Sequence, residues 1–97
     1  MDIETYLEER RKLEQKKFNL FHHVLGLCEE SGEVAGVIKK SMYKRDKLTD
    51  EDKHNLKLEL GDVLWYLCAI CDKLEFNLLE VASENIIKLK DRYPQNK

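Results

Sequence analysis

The chain has 97 residues, of which 42% are hydrophobic and 37% charged, and its formal net charge is −2. This balance is typical of one small, charge-rich globular domain, and it excludes a disordered chain and a general polyanion-binding surface for nucleic acid. A domain of this size leaves roughly a third or more of its unfolded surface exposed after folding, so an oligomeric partner would stabilise it.

The sequence predicts four helices and no strand. The chain has only one proline and four glycines, so few positions would break a helix. No segment shows the alternation of polar and β-branched residues that is typical of strands. Short connections between helices predict an all-α, four-helix antiparallel bundle formed by a single domain over residues 1–97. The helices are expected at about residues 3–17, 19–42, 51–74 and 77–93, with N-caps at Asp2, at Thr49 or Asp50, and at Asn77.

The second and third predicted helices are the most apolar. From Leu60 onward the third helix is apolar nearly all round, and such a helix must be covered on several sides. We therefore expect a homodimer or homotetramer. Gly32 and Gly36 lie one turn apart and suggest close approach by a neighbouring backbone. Steps of three and four residues place a core-facing seam on the second helix at Leu20, Val24, Leu27, Ser31, Val34 and Ile38.

These two helices each carry a pair of acidic residues beside an apolar seam. Glu30 and Glu33 are three residues apart, as are Glu59 and Asp62, so the members of each pair share one helix face. If the helices pack antiparallel, the four carboxylates converge and repel one another unless a cation neutralises them. Glu29 lies further round the second helix, nearly opposite its seam. A single acidic pair is more often a solvated face, but two pairs flanking core seams favour a site.

Oxygen ligands without histidine or thiolate are typical of a hard cation. Mg²⁺ is the expected ion, with Mn²⁺ as a substitute. Because Mg²⁺ usually shares its coordination with substrate phosphates, an acidic site of this kind indicates phosphate chemistry.

The same residues resemble a known family. "EESGE" at residues 29–33 and "ELGD" at residues 59–62 are similar to the EExxE…ExxD signature of the MazG-like, all-α nucleoside triphosphate pyrophosphohydrolases. The flanking letters and the ending "ENIIKLKDRYP" also resemble that family. The likeness covers about residues 20–42 and 55–94, and the first helix matches nothing specific.

The resemblance implies Mg²⁺-dependent hydrolysis of a nucleoside triphosphate between its α and β phosphates, with nucleotide-pool house-cleaning as the role. By motif position, Glu30, Glu33, Glu59 and Asp62 would ligate the metal. Glu29 would be an accessory ligand, or would orient or deprotonate the attacking water. A carboxylate that aligns a metal-bound water in line with the leaving pyrophosphate suits this chemistry.

The fourth helix offers candidates for substrate binding. Asn85, Lys88 and Arg92 share one face, and the two cations suit the pyrophosphate end of a nucleotide. Taken alone, they would be explained as a cationic helix end that complements the dipole. Lys39 is a further candidate for the phosphates, and Tyr66 continues the stripe of Glu59 and Asp62 and is a candidate for contact with the base or sugar.

Other motifs are given structural interpretations. Glu51-x-x-His54 has the spacing found in di-iron bundles, but such sites need two of these motifs. Cys68 and Cys71 lack a second CxxC for zinc and are expected to be buried small residues. His23 is expected at the surface, on the side of Glu30.

Two alternatives to the principal prediction remain. The substrate could be a phosphoribosyl nucleotide such as phosphoribosyl-ATP, because the acidic signature would be the same. The chain could also be a non-catalytic helical interaction module whose glutamates are solvated. In either case the longest apolar run, Val63 to Cys71, is too short for a bilayer, which needs about 20 residues. No export signal is visible and the cysteine count is odd, so a cytoplasmic protein without membrane partners is expected.

Overall fold

A computed structural model describes residues 1–94 as four helices joined by short connections. Helix α1 is Ile3–Leu13, α2 is Leu20–Arg45, α3 is Asp50–Lys73 and α4 is Leu78–Arg92. No strand occurs in the described residues, so the all-α prediction is confirmed. The predicted domain range also includes residues 95–97, which lie outside the described part. Within residues 1–94, no helix combines the length and apolarity needed to cross a membrane.

The helix starts follow the capping residues in the sequence. The Asp2 side chain accepts a hydrogen bond from the Thr5 amide at 2.8 Å, and Asn77 caps α4. At α3, Thr49 and Asp52 form a reciprocal capping box, which satisfies two amides that the helix leaves without partners. Helix α1 ends earlier than expected, because the backbone of Glu14 turns extended.

Helices α2 and α3 form the main helix–helix contact of the chain. They run antiparallel, since Arg45 at the end of α2 pairs with Asp52 near the start of α3, and Gly26 near the start of α2 meets Tyr66 towards the end of α3. Helix α4 contains no buried residue, and the chain has extents of 48 × 43 × 27 Å. The described chain is therefore an antiparallel helix pair with α1 attached to it, and α4 keeps an uncovered surface.

The predicted apolar seams are only partly covered. Val24 is 47% exposed, and Ile38 and Leu67 are 37% and 38% exposed. Within residues 1–94, the buried apolar residues are instead at the junction of α1 with the end of α3: Leu7, Cys68, Ala69 and Cys71. The prediction that the cysteines are buried is confirmed, and burial raises the pKa of both thiols.

A buried arginine joins α1 to α3. Arg10 is 1% exposed, and its Nε donates a hydrogen bond to the backbone oxygen of Trp65 at 3.2 Å. Its guanidinium also binds Asp72 at 2.9 Å and the carboxylate of Glu14, and it lies 4.9 Å from the centre of the Trp65 ring. A buried cation is tolerated only when it is paired and hydrogen-bonded, and here each of the three guanidinium nitrogens donates one hydrogen bond.

His23 is buried, so the prediction that it lies at the surface is wrong. It is 1% exposed and lies beside Glu14, with Nε2 3.2 Å from a carboxylate oxygen. Neither ring nitrogen makes a hydrogen bond of good geometry within residues 1–94. The early end of α1 explains the difference, because it brings Glu14 against the start of α2. Burial lowers the pKa of His23, although the Glu14 carboxylate opposes this effect.

This burial predicts a loss of stability in mild acid. Since the folded state lowers the His23 pKa below its ordinary 6.5, the folded protein prefers the neutral ring. The corresponding stability is complete above pH 6.5 and is lost as the pH falls from there through the lower, folded pKa. Urea unfolding between pH 7.5 and 5 is expected to show a smaller loss of stability for His23→Gln than for the wild type.

The exposed neighbour His22 provides the control for that measurement. His22→Gln removes an imidazole one residue away without changing the buried ring, so its pH dependence is expected to follow the wild type. If the free energy of unfolding changed equally with pH in the wild type and in both variants, a neutral, buried His23 would be contradicted.

Candidate metal centre

Three of the predicted acidic residues meet between α2 and α3. Glu30, Glu59 and Asp62 each offer a carboxylate oxygen, and these three oxygens lie within 4.8 Å of one another. Because α2 and α3 are antiparallel neighbours, Glu30 on α2 lies opposite Glu59 and Asp62, which are one turn apart on α3. Glu30 and Glu59 are half-buried and Asp62 is exposed, so the cluster sits at the edge of the helix pair and is accessible to solvent.

The electrostatics of the cluster favour a cation. Partial burial raises the pKa of Glu30, and the neighbouring carboxylates of Glu59, Asp62 and Glu29 raise it further. A raised carboxyl pKa means that the negative form is unfavourable in the metal-free protein. A divalent ion would reverse this, because it supplies the missing positive charge.

The other two glutamates of the signature lie outside this group. Glu33 is on α2 one turn beyond Glu30 and is exposed, as is Glu29. Glu33 does not share the 4.8 Å grouping of the other three carboxylates. Glu29 is close enough to raise the pKa of Glu30. The four-carboxylate site predicted from the sequence is thus represented by three converging groups, with Glu33 adjacent on the same helix face.

Tyr66 packs against the backbone of α2. Its ring lies over Gly26, and its centre is 6.1 Å from that of His23. The close approach expected at Gly32 and Gly36 is not found among the described residues, because neither has a neighbour within 4 Å. The helices meet instead at Gly26, which lies on the same stripe as Glu30 and which the sequence did not distinguish from the other glycines.

The predicted phosphate-binding residues do not join the cluster within the chain. Asn85, Lys88 and Arg92 are exposed on α4, and Lys39 is exposed on α2. Within residues 1–94, none of these four side chains forms an ion pair with the acidic cluster. Asn85 and Lys88 instead line a shallow surface depression with Glu84 and Ile87.

The donor set fits a hard divalent cation. All three converging groups are carboxylates, and no histidine or thiolate shares the site. Mg²⁺ and Mn²⁺ prefer such oxygen ligands, and Mg²⁺ usually keeps positions for water and phosphate oxygens. Three carboxylates leave such positions open.

Comparison with known proteins places the chain in a family. The model of the MazG nucleotide pyrophosphohydrolase domain matches residues 19–96. A relative from Mycobacterium phage L5, the Gene 37 protein, is 36% identical over 74 residues, which cover 75% of this chain and 65% of that protein. Its name states no activity, and no solved structure matches the chain. The family match includes α2, α3 and α4 with the whole acidic cluster, and the chain therefore belongs to the MazG nucleotide pyrophosphohydrolase domain family.

Proposed function

We propose that this protein hydrolyses nucleoside or deoxynucleoside triphosphates between the α and β phosphates, releasing a nucleoside monophosphate and pyrophosphate. The convergence of Glu30, Glu59 and Asp62 within 4.8 Å carries this proposal. The family supports a nucleotide pyrophosphohydrolase in general, and the carboxylate cluster supports dependence on Mg²⁺. Removal of unwanted nucleotides from the pool is the proposed role.

Each carboxylate has a proposed part in the reaction. Glu30, Glu59 and Asp62 would hold the divalent ion, and Glu33 would add a further carboxylate ligand from the next turn of α2. When bound, the ion draws charge from the phosphate oxygens and lowers the pKa of its water. Glu29 serves as an accessory ligand, or orients or deprotonates the attacking water. Attack by that water in line with the leaving pyrophosphate would break the bond between the α and β phosphates.

We further propose that a homodimer or homotetramer completes the substrate pocket. Helix α4 has no buried residue, and the seam residues Val24 and Leu67 remain partly exposed, so a second copy has apolar surface to cover. In such an assembly, Asn85, Lys88 and Arg92 would line the phosphate site, with Lys39 beside it. Sedimentation of the active enzyme is expected to give a dimer or tetramer, and a fully active monomer would contradict the proposal.

The compartment proposed for this reaction is the cytoplasm. All three cysteines are free, which fits a reducing environment.

A substrate panel tests the reaction. Purified protein is incubated with Mg²⁺ and each of the common NTPs and dNTPs, and pyrophosphate is resolved from orthophosphate. Pyrophosphate and a monophosphate are the expected products. Orthophosphate with a diphosphate would refute cleavage between the α and β phosphates.

The same panel separates the alternatives. Turnover of phosphoribosyl-ATP in preference to every triphosphate would identify the related activity. Absence of any turnover, together with a Glu33→Gln variant that matches the wild type in stability and in its response to Mg²⁺, would identify a non-catalytic helical interaction module.

A further inference from the structure

A glycine and a tyrosine meet next to the acidic cluster. Gly26 precedes Glu30 by one turn of α2, and Tyr66 follows Asp62 by one turn of α3. A Cβ atom added at Gly26 would lie 2.6 Å from Cδ1 and Cζ of Tyr66 and closer still to Cε1. Real Cβ atoms do not approach ring atoms so closely, so the tyrosine ring occupies the space that any other residue at position 26 would need.

The contact between Gly26 and Tyr66 lies one helical turn away from the carboxylate cluster. Because α2 and α3 are antiparallel, one turn forward from Gly26 and one turn back from Tyr66 lead to Glu30 and Asp62. The separation of two packed helices depends on the side chains at their contact. The ring of Tyr66 against the bare backbone of Gly26 therefore fixes the helix separation beside the position where Glu30 must approach Glu59.

A second residue of α2 borders the tyrosine, and α1 contacts the turn of α3 that carries it. His23, which is 1% exposed, lies 6.1 Å from the Tyr66 ring between ring centres. The preceding residue, Trp65, accepts a hydrogen bond from Arg10 through its backbone oxygen. Helix α1 therefore holds the backbone of the α3 turn that carries Tyr66.

We propose that Gly26 and Tyr66 act as a spacer that sets the distance between Glu30 and the α3 carboxylates, and thereby the affinity of the site for a divalent cation. This inference rests on the proposed metal site. Both are positioning residues in this proposal, and Tyr66 has this role instead of stacking on a base. Carboxylate ligands must be held to within about 0.5 Å of their binding geometry, so a displaced helix is enough to weaken the site.

The test measures Mn²⁺ binding to the metal-free, full-length protein by electron paramagnetic resonance, without substrate. Gly26→Ala is expected to weaken Mn²⁺ binding by about 10-fold or more, the range found when residues that orient metal ligands are changed. Gly32→Ala is the matched control, because its Cβ would meet nothing within 4 Å, and its Mn²⁺ affinity is expected to equal that of the wild type.

A second substitution distinguishes positioning from a general loss of stability. Tyr66→Leu shortens the opposing side chain, so the double variant Gly26→Ala/Tyr66→Leu is expected to bind Mn²⁺ more tightly than Gly26→Ala. A purely structural role would lower the melting temperature of each variant without this recovery. Failure of the double variant to recover affinity would overturn the spacer.

The outcomes also separate this inference from the proposed function. If the wild type binds no Mn²⁺, the metal site itself is refuted and the spacer with it. If the wild type and a folded Gly26→Ala bind Mn²⁺ equally, the spacer alone is refuted. Should Gly26→Ala fail to fold, Tyr66→Leu alone carries the test, because it changes the spacer without adding an atom, and an unchanged affinity would overturn the proposal.

Discussion

Glu30→Gln is expected to lower the rate of pyrophosphate release by at least about 100-fold, the usual cost of removing one electrostatic group from an active site. Glu30 is the α2 member of the cluster and faces both Glu59 and Asp62. The amide keeps the shape of the side chain but loses the negative charge that a divalent cation requires. The rate is measured from pyrophosphate release at saturating Mg²⁺ with the best substrate of the panel.

The same substitution is expected to raise the melting temperature of the metal-free protein. Burial and neighbouring carboxylates raise the Glu30 pKa above its ordinary 4.5, so the folded state favours the protonated form. Stability from this group is complete below pH 4.5 and is lost as the pH rises through the raised pKa. At pH 7.5 the wild type has incurred this loss, whereas a neutral glutamine has not.

A lower rate together with a higher melting temperature would identify a site whose carboxylates serve the reaction but lower the stability of the metal-free protein. Addition of Mg²⁺ is expected to raise the melting temperature of the wild type more than that of Glu30→Gln, because the variant has lost a ligand. Glu8→Gln removes an equal charge from the exposed face of α1 and is expected to behave as the wild type in rate, melting temperature and Mg²⁺ response. A Glu30→Gln variant with normal turnover would contradict the assignment of Glu30.

Local features of the sequence predicted the four helices, and three of the four carboxylates proposed for the metal site converge in the structure. A capping residue such as Thr49 acts on amides within its own first turn, so a helix start is visible without knowledge of the fold. The pairing of Glu59 with Asp62 likewise follows from helical spacing alone. Their meeting with Glu30 required only that α2 and α3 be antiparallel neighbours, which a short connection favours.

The features that sequence analysis missed depend on contacts between distant residues. The burial of His23 follows from where α1 ends, and α1 ends at a glutamate that bonds Arg10. Helical periodicity contains no information about such a partner. Similarly, nothing local distinguishes Gly26 from Gly32, since only the position of Tyr66 on another helix makes one of them necessary. The partial exposure of the apolar seam residues has a related cause. An apolar seam predicts that its residues are buried, but it does not say whether the same chain or a second copy covers them.

Arg10→Met is expected to reduce the free energy of unfolding by about 3–5 kcal/mol, the usual result of removing one partner of a buried ion pair. Methionine fills much of the same volume but cannot donate to the Trp65 carbonyl or to Asp72. It also leaves Glu14, beside the buried His23, without its cation. Urea unfolding at pH 7.5 and at one fixed protein concentration measures the effect.

Arg11→Met provides the matched control, because Arg11 binds the same carboxylate of Asp72 from an exposed position. Its Nη2 lies 3.0 Å from Asp72, but its side chain is 52% exposed compared with 1% for Arg10. Exposed ion pairs contribute about 0–1 kcal/mol, so this variant is expected to unfold nearly as the wild type does. Equal losses for the two variants would contradict this prediction, because the burial of Arg10 would then add nothing to its pairing with Asp72. A larger loss at Arg10 would instead identify the buried guanidinium as the group that fastens α1 to α3.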